Sequence, residues 1–157
     1  MAENSYDSGR LNLPFVGICT FGKSPYQPDW DRIDADVAIL GAPFDFGTQW
    51  RSGARFGPQA IRSASLMLCD GIHPVFDVSP LAYLGDALDM RLPNASPLPE
   101  VRRHLEAQAA ALMARHHCVF LGGDHSITLS LLRAAKARYG GGEPLACLHF
   151  DAHCDTW

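Results

Sequence analysis

At 157 residues with 47% hydrophobic content, the chain has the size of a single compact domain and enough apolar residues to bury a core. A formal charge of -4 and the absence of any long Lys/Arg run leave no electrostatic footprint for nucleic acid or an anionic membrane surface, so the expected partners are small molecules. No stretch reaches the roughly 18 uninterrupted apolar residues that a membrane span needs, and residues 1–10 show no apolar signal region, so the expected location is cytoplasmic.

Residues 1–35 are rich in Gly, Pro and Asp, with Pro14, Pro25 and Pro28 interrupting any regular pattern; they read as an irregular arm ahead of a domain over 36–157. Val37 to Leu40 form a short apolar run of the kind found in a strand buried on both faces. After the glycine-rich loop GAPFDFGTQWRSGARFGP, Pro58 suits the first turn of a helix that continues through QAIRSASLML. LAYLGDA at 81–87 is the second strand candidate. From Pro99 an Ala-rich amphipathic helix is expected, its last turn carrying Arg115, His116 and His117, where the macrodipole accounts for the two histidines.

CVFLGG then reads as a third strand, ITLSLLRAAKARYGGG as a helix closed by glycines, and LACLHFDAH as a closing strand. Strands alternating with helices indicate an α/β fold with a mostly parallel sheet covered on both sides. The five cysteines (Cys19, Cys69, Cys118, Cys147, Cys154) are scattered without C-x-x-C spacing, so reduced and mostly buried thiols are expected rather than a disulfide framework or a thiolate zinc site.

Ligand sites in parallel sheets lie beyond the carboxyl ends of the strands. Two such places stand out. In Gly122-Gly123-Asp124-His125-Ser126 the glycines let the backbone bend tightly and present His125, while Asp124 reads as the cap of the following helix or as a partner that supports a ligand, rather than as a ligand itself. In Asp151-Ala152-His153-Cys154-Asp155 the spacing by two aims Asp151, His153 and Asp155 at one side of an extended backbone, with Cys154 facing packing on the other. His125 alone reads more readily as a satisfied polar group. Three ionisable residues directly after an apolar strand, however, are costly to bury unless they are paired or coordinate a metal. Two histidines and two aspartates suit a borderline-hard divalent ion such as Mn²⁺ or Zn²⁺. His149 shares the parity of Asp151 but lies inside the apolar run, so it reads as a hydrogen-bonded core histidine. His73 and His104 fall in no motif. Arg51, Arg55 and Arg62 could clamp an anion, but a loop-stabilising or subunit-contact role fits them better.

GAPFDFGTQWRSGARFGPQAIR, LGGDHSITLSLLRA and HFDAHCDTW resemble, in that order, the three amino-terminal signature segments of the ureohydrolases, the arginase and agmatinase family, and are most similar in wording to agmatinases and guanidino-acid hydrolases. The resemblance implies an arginase-like three-layer α/β/α sandwich and an active site with two Mn²⁺ ions bridged by hydroxide, which releases urea from a guanidino compound such as agmatine or a guanidino acid. It assigns His125 as a ligand of the first ion, and Asp151, His153 and Asp155 as ligands of one or both. It also implies a homo-oligomer.

The family pattern continues with a further D-x-D pair, a substrate-side histidine and a late acidic residue, whereas this sequence runs to Trp157; the expectation is a fragment, with an incomplete fold holding the first half of the site. An inactive metal-binding or interaction module of the same fold is the alternative. A dinuclear metallophosphoesterase also uses D-x-H and G-D runs, but there D-x-H comes first and here it comes last.

Overall fold

The computed structural model describes residues 13–68, 71–93 and 95–155. Three strands form one sheet: β1 (Val37–Ala42), β2 (Leu84–Asp89) and β3 (His117–Gly122), in the order β2-β1-β3. All pairings are parallel, with Val37 opposite Leu84 on one side and His117 on the other. Parallel neighbours need crossovers, which α1 (Gly57–Ser65) provides between β1 and β2 and α2 (Leu98–Met113) between β2 and β3, with α3 (Thr128–Tyr139) following β3. Helices on both faces of a parallel sheet form the α/β/α sandwich that the resemblance implies.

The central strand explains the core. Ala38, Leu40 and Ala42 are fully buried and join Val101, Leu105, Ala109 and Leu112 of α2 in the main apolar cluster. On the opposite parity, a Cβ on Gly41 would come within 2.9 Å of Pro58 Cβ on α1. β1 is thus covered on both faces, as its uninterrupted apolar run required. Pro58 stands in the first turn of α1, where its missing N–H costs nothing.

Three expected boundaries shift. The segment read as a strand from 81 begins with a short 3-10 turn, Pro80–Tyr83, and β2 starts only at Leu84, because Pro80 favours a turn over a ladder position. The helix from Leu98 ends at Met113; His117 opens β3, and His116 instead sets its Nδ1 2.9 Å from the Ala35 carbonyl, a tertiary contact that replaces the expected macrodipole role. Residues 144–150 are not a strand: the apolar run leaves Leu148 and Phe150 exposed and has no ladder partner among the described residues. An apolar run becomes a strand only when a neighbour supplies its hydrogen bonds.

Residues 13–35 hold two 3-10 turns, Phe21–Lys23 and Trp30–Arg32, and lie along β2. Tyr26 bridges Asp86, and Asp86 N–H donates to the Pro25 carbonyl at 2.9 Å, which shields the free edge of β2. Asp86 is the hub of this contact. Its carboxylate accepts Arg62 Nε at 2.8 Å and Arg62 Nη2 at 2.9 Å, and also the backbone N–H groups of Phe21 and Leu88. Burial opposes the Arg62 charge, but the Asp86 and Asp89 carboxylates outweigh it and raise its pKa above the ordinary value. Arg62 therefore fastens a crossover helix to the sheet edge.

The thiols are less buried than expected. Cys19 and Cys118 are half-buried and free, whereas Cys147 and Cys154 are exposed because they lie in the segment that has no sheet partner; Cys69 lies outside the described residues. Burial raises the Cys118 thiol to about 11, which keeps it protonated. Among the described residues, no helix is long and apolar enough to cross a membrane.

Candidate metal centre

The site grows from the carboxyl end of β3. Gly123 has φ +59°, and a Cβ there would lie 2.5 Å from the Ala42 carbonyl oxygen and 2.6 Å from that of Phe44, so only glycine lets the chain leave the sheet at this angle. Asp124 follows in extended conformation and caps the short turn His125–Ile127, its Oδ1 accepting the N–H of Ser126 at 3.0 Å. Its other oxygen accepts Gly47 N–H at 2.7 Å and the Thr48 hydroxyl at 3.3 Å. The loop after β1 and the turn carrying His125 are thereby one unit.

His125 is held through Nδ1, 3.1 Å from the Thr128 hydroxyl one turn on, and its Nε2 lies 2.9 Å from Asp151 Oδ2. A ligating imidazole is oriented in this way, with one nitrogen fixed by a neighbour and the other turned to the site. His149 Nε2 lies 3.4 Å from the same Asp151 oxygen. The other carboxylate oxygen, Oδ1, accepts the backbone N–H of His153 at 2.8 Å and sits 3.3 Å from His153 Nδ1. That backbone hydrogen bond, with the His125 hydrogen bond and the nearby imidazoles, outweighs partial burial and holds Asp151 at a pKa of about 2.

His125, His149, Asp151 and Asp155 each offer one ligand atom within 4.8 Å of all the others. Two imidazoles and two carboxylates fit a borderline-hard divalent ion, and the two negative charges match its valence. Three of the four residues expected from the sequence are therefore brought together. His153 stands just outside the group, its side chain 84% exposed, although it touches Asp151. The reason is local: the backbone bends at Ala152 and His153, and Asp155 has φ +49°, so the alternation of an extended strand does not hold through this segment. The same departure overturns two other expectations. His149 is no core histidine but a member of the group, and Cys154 is exposed rather than packed.

Sequence reasoning passed over Asp45 and Thr128. Asp45 accepts Gly53 N–H at 2.7 Å, Arg55 N–H at 3.2 Å and Arg55 Nε at 2.8 Å, closing the loop after β1 on itself. The Arg55 side-chain hydrogen bond is the main cause that lowers the Asp45 pKa to about 2, against a smaller rise from burial. Arg55 is thus a loop-stabilising residue, and Arg51 lies over the Trp50 ring at 6.0 Å. An aspartate five residues after Leu40, the end of the apolar run, was the available signal for Asp45. Thr128 looked like an ordinary first-turn helix residue.

A parallel sheet with a group of histidine and aspartate side chains at its carboxyl edge is an α/β architecture shared by many families, and sequence comparison makes the class specific. The arginase family model matches residues 35–157, and the chain belongs to that family. It is 44% identical to an agmatinase of Neisseria meningitidis across its whole length, which covers 47% of that protein. The structure is similar to that of a hypothetical agmatinase from Burkholderia thailandensis, with a TM-score of 0.81 and 35% identity over 92% of this chain and 45% of the other. It is also similar to a Trypanosoma cruzi formiminoglutamase solved with Mn²⁺, with a TM-score of 0.58 and 30% identity over 69% of this chain and 37% of that one. The chain spans about half the length of the agmatinases it matches.

Proposed function

We propose that this chain supplies the first part of the metal centre of a Mn²⁺-dependent ureohydrolase, which releases urea from agmatine or a guanidino acid. The observation that carries this reading is the convergence of His125, Asp151 and Asp155 within 4.8 Å in a chain of the arginase family. These residues would hold the metal together with His153, which lies on the second oxygen of Asp151. The agmatinase relatives and the formiminoglutamase named with Mn²⁺ support the choice of substrate class and ion. When bound, Mn²⁺ supplies the Lewis acidity that hydrolysis of a resonance-stabilised guanidinium carbon requires.

The chain's own residues prepare that chemistry. Asp151 stays anionic across the whole physiological range, Thr128 fixes the His125 ring, and Asp124 locks the His125 turn to the loop after β1. The domain over 36–157, a cytoplasmic location and assembly as a homo-oligomer belong to the same proposal. The free cysteines support the location, since they suit a reducing compartment.

Urea release from agmatine, guanidinobutyrate, guanidinopropionate and arginine, assayed with Mn²⁺, tests the reading. Urea from any of these, lost in His125→Ala, supports it. One other reading is an inactive metal-binding or interaction module of the same fold; metal binding without urea from any substrate would point there.

A further inference from the structure

We propose that the cleft between α2 and α3 binds a small phosphate-type dianion, held by the guanidinium groups of Arg102, Arg103 and Arg133. The cleft shares no residue with the histidine and aspartate group beyond β3, so the proposal stands independently of the metal-centre reading.

The cleft has a volume of about 490 Å³, room for a phosphate ion or for a small molecule that carries one. Arg102, Arg103 and Glu106 of α2 line it together with Arg133 of α3, over the small side chains of Ala107 and Ala110. Ser130, itself fully buried, donates its hydroxyl to the Arg102 carbonyl at 3.1 Å and ties the two helices together beside the cleft. The arginines are therefore presented from a fixed frame, which lowers the ordering cost of binding.

Three observations point to an anion. First, none of the three guanidiniums is in an ion pair among the described residues, whereas Arg55, Arg62 and Arg115 each pair with an aspartate. Even Glu106, three and four residues on from Arg103 and Arg102 at the spacing of helical ion pairs, pairs with neither. Second, Arg102 Nε is buried without a hydrogen-bond partner, a donor that the protein itself leaves unused. That nitrogen is closed to solvent here, so binding includes a small turn of the Arg102 side chain that brings its N–H onto a ligand oxygen. Third, three guanidiniums and one carboxylate leave the cleft with a formal charge of +2 on a chain whose overall charge is -4. Planar guanidinium forks match phosphate oxygens two at a time, and a dianion balances this charge where a monocarboxylate leaves half of it uncompensated.

The test is titration of the metal-free chain with inorganic phosphate, at an ionic strength held constant with chloride, read from the arginine Nε–H signals in ¹⁵N spectra. The signals of Arg102, Arg103 and Arg133 should move saturably, and Arg102→Gln and Arg133→Gln should each weaken binding about tenfold or more with circular dichroism unchanged. Arg133 is exposed on α3, so its variant decides the matter even if Arg102→Gln fails to fold. Glu106→Gln should tighten binding, because it removes the one like charge beside the anion. Glycerol phosphate in place of the free ion separates two sources of the same chemistry: tighter binding of the ester assigns a phosphorylated metabolite, and tighter binding of phosphate the free ion. Movement that chloride alone reproduces, stationary signals from all three arginines, or wild-type affinity in the folded variants overturns the proposal.

Discussion

The carboxylate of Asp124 accepts the backbone N–H of Gly47 at 2.7 Å, joining the loop after the first strand to the turn after the third. One oxygen serves this long-range contact while the other caps the turn that presents His125. The geometry of the turn that carries His125 is therefore set partly by a residue 77 positions from Asp124.

Asp124→Ala removes both functions at once. Loss of the cap costs about 1 kcal/mol, and the exposed Gly47 amide, which water can satisfy, adds little, so a drop of roughly 1 kcal/mol is expected. Urea unfolding curves with unchanged slope measure it. Asp124→Asn keeps an acceptor for Ser126 and should recover about half of that loss.

Arg62 and Asp86 form a bidentate pair with side chains 3% and 0% exposed. Asp86→Ala leaves the guanidinium buried with only the Asp89 carboxylate and the Leu88 carbonyl, which should cost about 3–5 kcal/mol. The double change Arg62→Met with Asp86→Leu removes both charges and should recover much of that, but not the part owed to the Phe21 and Leu88 amides. Denaturation of the two single variants and the double variant yields the comparison.

Asp45 makes stability depend on acid. Its pKa in the folded chain, about 2, lies below the ordinary 3.8, so its contribution is complete above the ordinary value and is lost as pH falls through about 2. Arg55→Met removes the main cause of the depression. In that variant the Asp45 carboxyl should titrate closer to 3.8 by NMR, and the loss of stability between about pH 4 and pH 2 should become shallower. An unchanged acid limb would show that Asp45 is not a source of this dependence.

Gly123→Ala places a methyl group against two carbonyl oxygens at a backbone angle that L-residues rarely adopt. A destabilisation of at least about 2 kcal/mol is expected, with weaker metal binding because the turn to His125 must shift. Thermal unfolding with and without Mn²⁺ reads both effects.

The sequence made the covered centre of the fold legible but not its edges. β1 was readable because both its faces are buried, and α1 because Pro58 marks its first turn. Asp124 was readable as a cap for a local reason, its position just before the helical run. Residues 144–150 were misread because the same apolar run would form a strand beside a neighbour and forms none here. The reading of His149 as a core histidine suffered from the same dependence: the rule that alternate residues share a side holds only for extended backbone, and the bend at 152–153 ends it, which also sets His153 on the other oxygen of Asp151. Asp45 and Thr128 act through backbone amides and a ring nitrogen that only the folded chain brings to them.

The central claim is that this chain carries metal ligands, and calorimetric titration with Mn²⁺ tests it most directly. Stoichiometric binding to the 157-residue chain, abolished in His125→Ala and in Asp151→Ala while both variants remain folded, is the predicted result. Binding that survives both substitutions, or its absence from the folded wild-type chain, would contradict the account.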